Sequence, residues 1–208
     1  MTSTDHPKGF VEMPRTWRRS GPAGYPEMIE AVRELEDRVS EAAPPEELIA
    51  EVRARIEALS TQLAEYAVPE WERLAGSLWK EPGRGQTLVP VVHVDEMTTE
   101  PQPTVRARIT FRPHHLGGNG AVHGGVIPLV FDDVLGMCAH LGGRTIARTA
   151  YLHTEYRAVA PLDKELQIRA RLEREEGRKR FLVGSLHDGD TLCAEITALF
   201  VQLKPGQP

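Results

Sequence analysis

The feature that most restricts this chain is one apolar helical stretch set among strand-patterned segments. In Ala121-Val122-His123-Gly124-Gly125-Val126-Ile127-Pro128-Leu129-Val130-Phe131-Asp132-Asp133 a glycine pair opens an apolar run. That is the pattern of a tight turn into a helix whose first N–H groups lack carbonyl partners and so attract negative charge. Pro128 is tolerated only near a helix start, which places that start near Gly124. Val126, Val130, Val134, Met137 and Leu141 then recur at three- and four-residue steps, the period of one buried face.

Asp132 and Asp133 interrupt this helix in its middle, away from the first turn where acids are favoured. Either both face water, or a carboxylate there has a partner or a task. Pro128 lies one turn before Asp132 and Gly136 one turn after, so the surface around it is short of bulk and can admit a ligand or a second backbone. Gly124 and Asp132 are eight residues apart, roughly 12 Å along a helix. An oxyanion donor and a base serving one carbonyl must both lie within a few ångströms of it. If both serve the same carbonyl, Asp132 comes from an antiparallel second copy, and a symmetric homodimer with sites at its interface is expected.

The 208 residues, 40% hydrophobic, suffice for one core plus an extension. A net charge of −5 with interleaved basic residues argues against a nucleic-acid partner. Cys138 and Cys193 read as buried small hydrophobes of a reducing compartment. With no apolar signal core and no run long enough for a membrane span, a soluble, cytoplasmic protein without membrane contact is expected.

Residues 1–24, rich in Pro, Gly and charge, read as a flexible arm. Residues 25–84 read as a helical extension: Met28, Ile29, Val32, Leu35 and Val39 mark one helix, and Leu48, Ile49, Val52, Ile56, Leu59, Leu63 and Tyr66 a second beyond Pro44-Pro45. Each has one apolar stripe, so this hairpin must pack on the main domain or on its copy in another subunit. Trp71 and Trp79 read as packing anchors. From residue 85 to 205 the period is that of strands: Leu88 to Val94, Val105 to Phe111, then, past the helix, Thr149 to Tyr156, Glu165 to Glu173, Arg180 to His187 and Thr191 to Leu203. Glu176-Gly177-Arg178 and Asp188-Gly189-Asp190 are hairpin turns joining the last three. Two strands, one long helix and four strands make an α+β hotdog fold, an antiparallel sheet wrapped around a central helix.

From about Val105 to Leu203 the chain resembles the PaaI-like and THEM4-like hotdog acyl-CoA thioesterases. The resemblance rests on His123-Gly124-Gly125 with an acid nine residues after the histidine, Gly136-Met137-Cys138-Ala139, the Thr149 to Pro161 segment and Glu176-Gly177-Arg178-Lys179. It implies hydrolysis of acyl-CoA, with the Gly124 N–H polarising the thioester carbonyl and Asp132 of the neighbouring subunit acting as general base or nucleophile. His123 either holds the loop or orients water and carbonyl, and Thr149 would hold the water. Gly125 belongs to the same substrate-binding turn. Some relatives carry an Asn six residues before the histidine; here Gly117 stands there, and Asn119 either fills that role or serves its Gly-Gly-Asn-Gly turn. Arg157, Arg178 and Lys179 are the implied phosphate-binding cations. The resemblance points to a medium or long fatty acyl chain and hence to lipid metabolism. It implies no cofactor, and a homodimer whose further pairing to a tetramer is open.

Two rivals remain. His114, His115, His123, His140 and Asp132 match no metal-binding spacing, so no metal site is expected. A non-catalytic acyl-CoA-binding or regulatory protein is the alternative, although such a sensor could dispense with the acid.

Overall fold

The computed structural model describes residues 21–204, so most of the expected arm lies outside the described residues. They divide into two compact units, 21–87 and 88–204.

In the first unit α1 spans Tyr25–Glu41 and α2 Glu46–Ala64. Proline and Glu27 open α1, and Glu46 and Glu47 open α2, placing acids at the positive helix ends. α1 buries Ile29, Arg33 and Asp37 at four-residue steps. Arg33 donates to the carbonyls of Pro82 at 3.0 Å and Gln86 at 2.5 Å, and Tyr25 to that of Gly85 at 3.2 Å. α2 buries none of its residues, so its apolar stripe has no cover within its own unit. Trp79 packs as an anchor, with the Arg84 guanidinium 4.8 Å from its ring centroid. Trp71 does not: it is 74% exposed, because the segment after Pro69 closes into a single turn, Glu70–Glu72, too short to present an apolar face.

The second unit holds β1 (Val92–Thr98), β2 (Thr104–Thr110), a small hairpin of β3 (Leu116–Gly118) and β4 (Ala121–Val122), α3 (Val126–His140), β5 (Ala147–Tyr156), β6 (Glu165–Glu176), β7 (Lys179–Asp188) and β8 (Thr191–Gln202). Six strands form one antiparallel sheet in the order β1-β2-β6-β7-β8-β5. α3 packs against β2, β5, β6, β7 and β8, so the hotdog architecture is present. β6 shows the alternation that builds the core: Leu166, Ile168, Ala170 and Leu172 are buried while Gln167, Arg169, Arg171 and Glu173 are not. β1 starts four residues later than the apolar pattern, since Pro90 has no N–H to give to a ladder.

α3 buries Ile127, Val130, Phe131, Val134, Leu135, Cys138 and Ala139. Val130 and Val134 belong to the stripe read from the sequence, whereas Val126, Met137 and Leu141 are only partly buried. The sheet curls around more of the helix than one stripe covers. Phe131 lies directly on β7, where a Cβ on Gly184 would come within 2.5 Å of its ring. The helix's C-terminal end is held by charge: Arg180, 4% exposed, donates to the carbonyls of Ala139 at 3.0 Å and Thr145 at 2.7 Å and to Glu175 at 3.1 Å.

His140 closes that same end. Its Nδ1 lies 2.6 Å from the Gly136 carbonyl and its Nε2 accepts the Ala147 N–H at 3.0 Å. Both contacts are satisfied only by the neutral ring with its proton on Nδ1. Burial accordingly pushes His140 below the usual histidine value. Below about pH 6.5 the unfolded chain therefore takes up a proton that the folded chain resists, and stability falls as pH falls. The urea midpoint is expected to drop between pH 7.5 and 5.5, and His140→Gln should start lower at pH 7.5 and fall less. An equal slope in both proteins would rule His140 out as the source.

Candidate active site

The site is built where α3 passes the edge strand β5. Thr149 Oγ donates to Asp132 Oδ1 at 2.6 Å, so the mid-helix acid has a partner. Its other carboxylate oxygen meets no protein donor among the described residues, leaving it open to water. About two helical turns earlier, Tyr156 Oη donates to the Gly124 carbonyl at 2.7 Å. The Gly125 N–H donates to His123 Nδ1 at 3.0 Å. The N–H of Gly124 has no acceptor among the described residues. His123 is exposed, and because its Nδ1 accepts a hydrogen bond, the neutral ring carries its proton on Nε2, facing solvent.

One irregularity puts both hydroxyls on the same side of β5. Thr149 and Tyr156 are an odd number of residues apart, so in a regular strand they would face opposite ways. The register between β5 and β8 slips between Thr149 and Tyr151, and this extra residue restores the parity. Thr149 can then reach Asp132 while Tyr156 reaches Gly124.

The expected residues thus fall into two groups within one chain: Asp132 with Thr149, and His123, Gly124 and Gly125 with Tyr156. Asn119 occupies the β3–β4 turn with φ 51, a conformation asparagine tolerates, and no hydrogen bond joins it to either group. Arg157 is held by Glu195 at 2.8 Å and by Glu155, and these carboxylates push its guanidinium further above the usual value. Arg178 donates to the Gln202 carbonyl at 2.8 Å. Lys179 and Arg148 have no carboxylate partner among the described residues, and they share a sheet row, each paired with Val201. Sequence reading missed Arg148 and Tyr156. Arg148 was accessible as the cation beside Thr149; Tyr156 was not, because its direction depends on the slip in β5.

The two edges of the sheet differ. β1 carries His93, Asp95 and Glu96, a register slip between Val94 and Glu96, and a pair from Asp95 to Arg108 at 2.8 Å, features that discourage further strand pairing. β5 is exposed over most of its length; it has its own slip between Thr149 and Tyr151 and carries Arg148 and Glu155, but no charged residue from Thr149 to Leu152. Among the described residues no helix is long and apolar enough to cross a membrane, and no three His, Cys, Asp or Glu side chains gather as a metal site.

The sequence profile of the thioesterase superfamily matches residues 119–195, a span that contains both groups. The chain is similar to the acyl-coenzyme A thioesterase THEM4 of Rattus norvegicus, 38% identical over 97 residues, covering 46% of this chain and 41% of that protein. With THEM4 of Xenopus laevis it shares 36% identity over 96 residues, covering 45% and 42%. The alignments therefore span less than half the length of these relatives. A crystal structure of a thioesterase superfamily protein superposes with a TM-score of 0.75 at 26% identity, covering 95% of this chain and 98% of that one.

Proposed function

We propose that the chain, whose residues 119–195 match the thioesterase superfamily, hydrolyses an acyl-coenzyme A thioester to the free acid and coenzyme A. The observation that carries this reading is the pair of open groups on one element: an Asp132 carboxylate steadied by Thr149 at 2.6 Å, and an unengaged Gly124 N–H at the start of the same helix.

In this reading Asp132 takes a proton from water, the resulting hydroxide adds to the thioester carbonyl carbon, and the oxyanion accepts the Gly124 N–H. Collapse of the intermediate breaks the C–S bond, and the proton on Asp132 returns to the leaving thiolate. A carboxylate is a modest base for water, so fixing the attacking molecule between Thr149 and Asp132 must supply much of the rate. Attack by Asp132 itself, through an anhydride that water then opens, uses the same contacts. Lys179 and Arg148, as cations without carboxylate partners, suit the coenzyme phosphates better than Arg157, which two acids already hold.

Roughly 12 Å of helix separates Gly124 from Asp132, so one carbonyl cannot engage both from one chain. An antiparallel homodimer with β5 at its interface would bring the acid of one protomer to the amide of the other. The exposed edge of β5, free of charged residues from Thr149 to Leu152, and the position of Thr149 on it support that arrangement.

The test is release of free thiol by the purified protein from acyl-CoAs of graded chain length. Turnover that needs Asp132 supports hydrolysis. Saturable acyl-CoA binding without thiol release would establish the non-catalytic binder instead.

A further inference from the structure

We infer that Tyr156 is a positioning residue that selects which amide of the His123-Gly124-Gly125 turn meets the substrate carbonyl; the inference rests on the thioesterase reading. The turn offers two glycine N–H groups; the family resemblance points to that of Gly124, but the sequence gives no physical reason for the choice. The structure does so through the peptide unit that joins Gly124 to Gly125. Its carbonyl oxygen receives the Tyr156 hydroxyl at 2.7 Å, and its N–H is donated to His123 Nδ1 at 3.0 Å. Held at both ends, this unit cannot turn, and its N–H is already engaged. The preceding peptide, which carries the Gly124 N–H, is left as the open donor.

The tyrosine also lies close over the glycine. A Cβ at position 124 would stand 3.3 Å from Tyr156 Oη and 3.4 Å from Cζ. Gly124 is absent from the positive-φ residues, so its backbone does not require glycine, and a Cβ there would need the tyrosine tip to give by a few tenths of an ångström. Without the hydroxyl, the Gly124–Gly125 peptide loses its anchor at the oxygen and can rock about its two flanking bonds. The Gly125 N–H then leaves His123 for part of the time and competes with the Gly124 N–H for the substrate carbonyl, while the preceding peptide stays held by the Val126 N–H on the His123 carbonyl at 2.9 Å. That loss falls on the transition state more than on ground-state binding, because the donor's main partner is the charge that develops during attack.

Tyr156→Phe keeps the ring and removes the hydroxyl. The measurements are steady-state thiol release and amide hydrogen exchange at Gly124 and Gly125, both on the full chain. The inference expects kcat to fall about tenfold with KM within about twofold. It also expects the Gly125 amide to be protected in the wild type, the Gly124 amide to exchange freely, and Gly125 to lose about tenfold of its protection in the variant while the α3 core amides do not change. A variant with wild-type kcat would overturn it, as would a wild-type Gly125 amide that exchanges as fast as that of Gly124. If the wild type releases no thiol from any acyl-CoA, the thioesterase reading fails by itself, and the exchange measurement still decides whether Tyr156 locks the turn.

Discussion

Asp132→Asn is expected to lower kcat for thiol release by on the order of 10³-fold, the loss typical when a general base is removed from a proton transfer. The substitution is nearly isosteric, and the new amide oxygen can still accept the Thr149 hydroxyl that now reaches Asp132 Oδ1 at 2.6 Å. What disappears is the capacity to take a proton. KM should change little, because in the proposed mechanism the carboxylate faces the attacking water rather than the acyl chain or the nucleotide. The denaturation midpoint should hold or rise, since a half-buried charge is replaced by a neutral group. A fall in kcat of less than about tenfold would place the base elsewhere.

The second large effect belongs to Gly124→Val. In the proposed mechanism the oxyanion donor is a main-chain N–H, which cannot be deleted by mutation, but the space around it can be filled. A Cβ there already stands 3.3 Å from Tyr156 Oη, and the two methyl groups of valine would push the tyrosine away and cover the path of the carbonyl to the amide. The expected loss in kcat is about 10²- to 10³-fold, comparable with removal of one oxyanion-hole donor. The core residues of α3 point to the other side, so the secondary structure seen by circular dichroism should be retained. Activity within a few-fold of wild type would show that the carbonyl binds away from this turn.

Much of this architecture is legible in the order of the residues because burial follows two simple periods. The alternation from Leu166 to Leu172 and the glycines of the last two hairpins place three strands without ambiguity. Gly124 and Pro128 mark where α3 starts to within two residues. The legibility ends where direction depends on distant partners. Arg157 reads as an available cation, yet Glu195, on a neighbouring strand and far along the chain, takes it at 2.8 Å. Trp71 reads as an anchor until the chain around it proves too short to form a face. Tyr156 is hidden for a different reason. Its side is set by one slipped residue in β5, and a register slip leaves no mark on composition or period.

The central claim is that acid and amide serving one carbonyl come from two protomers, and mixing two inactive variants tests it most directly. Asp132→Asn and Gly124→Val are each purified, unfolded together in equal amounts and refolded. Random pairing makes half of the dimers mixed, and each mixed dimer holds one site with an intact Gly124 from one chain and an intact Asp132 from the other. Recovery of about one quarter of wild-type activity is expected from this two-fold arrangement. If refolded wild type regains its activity while the mixture stays as inactive as its parents, both groups act from the same chain and the proposal of a shared site is wrong.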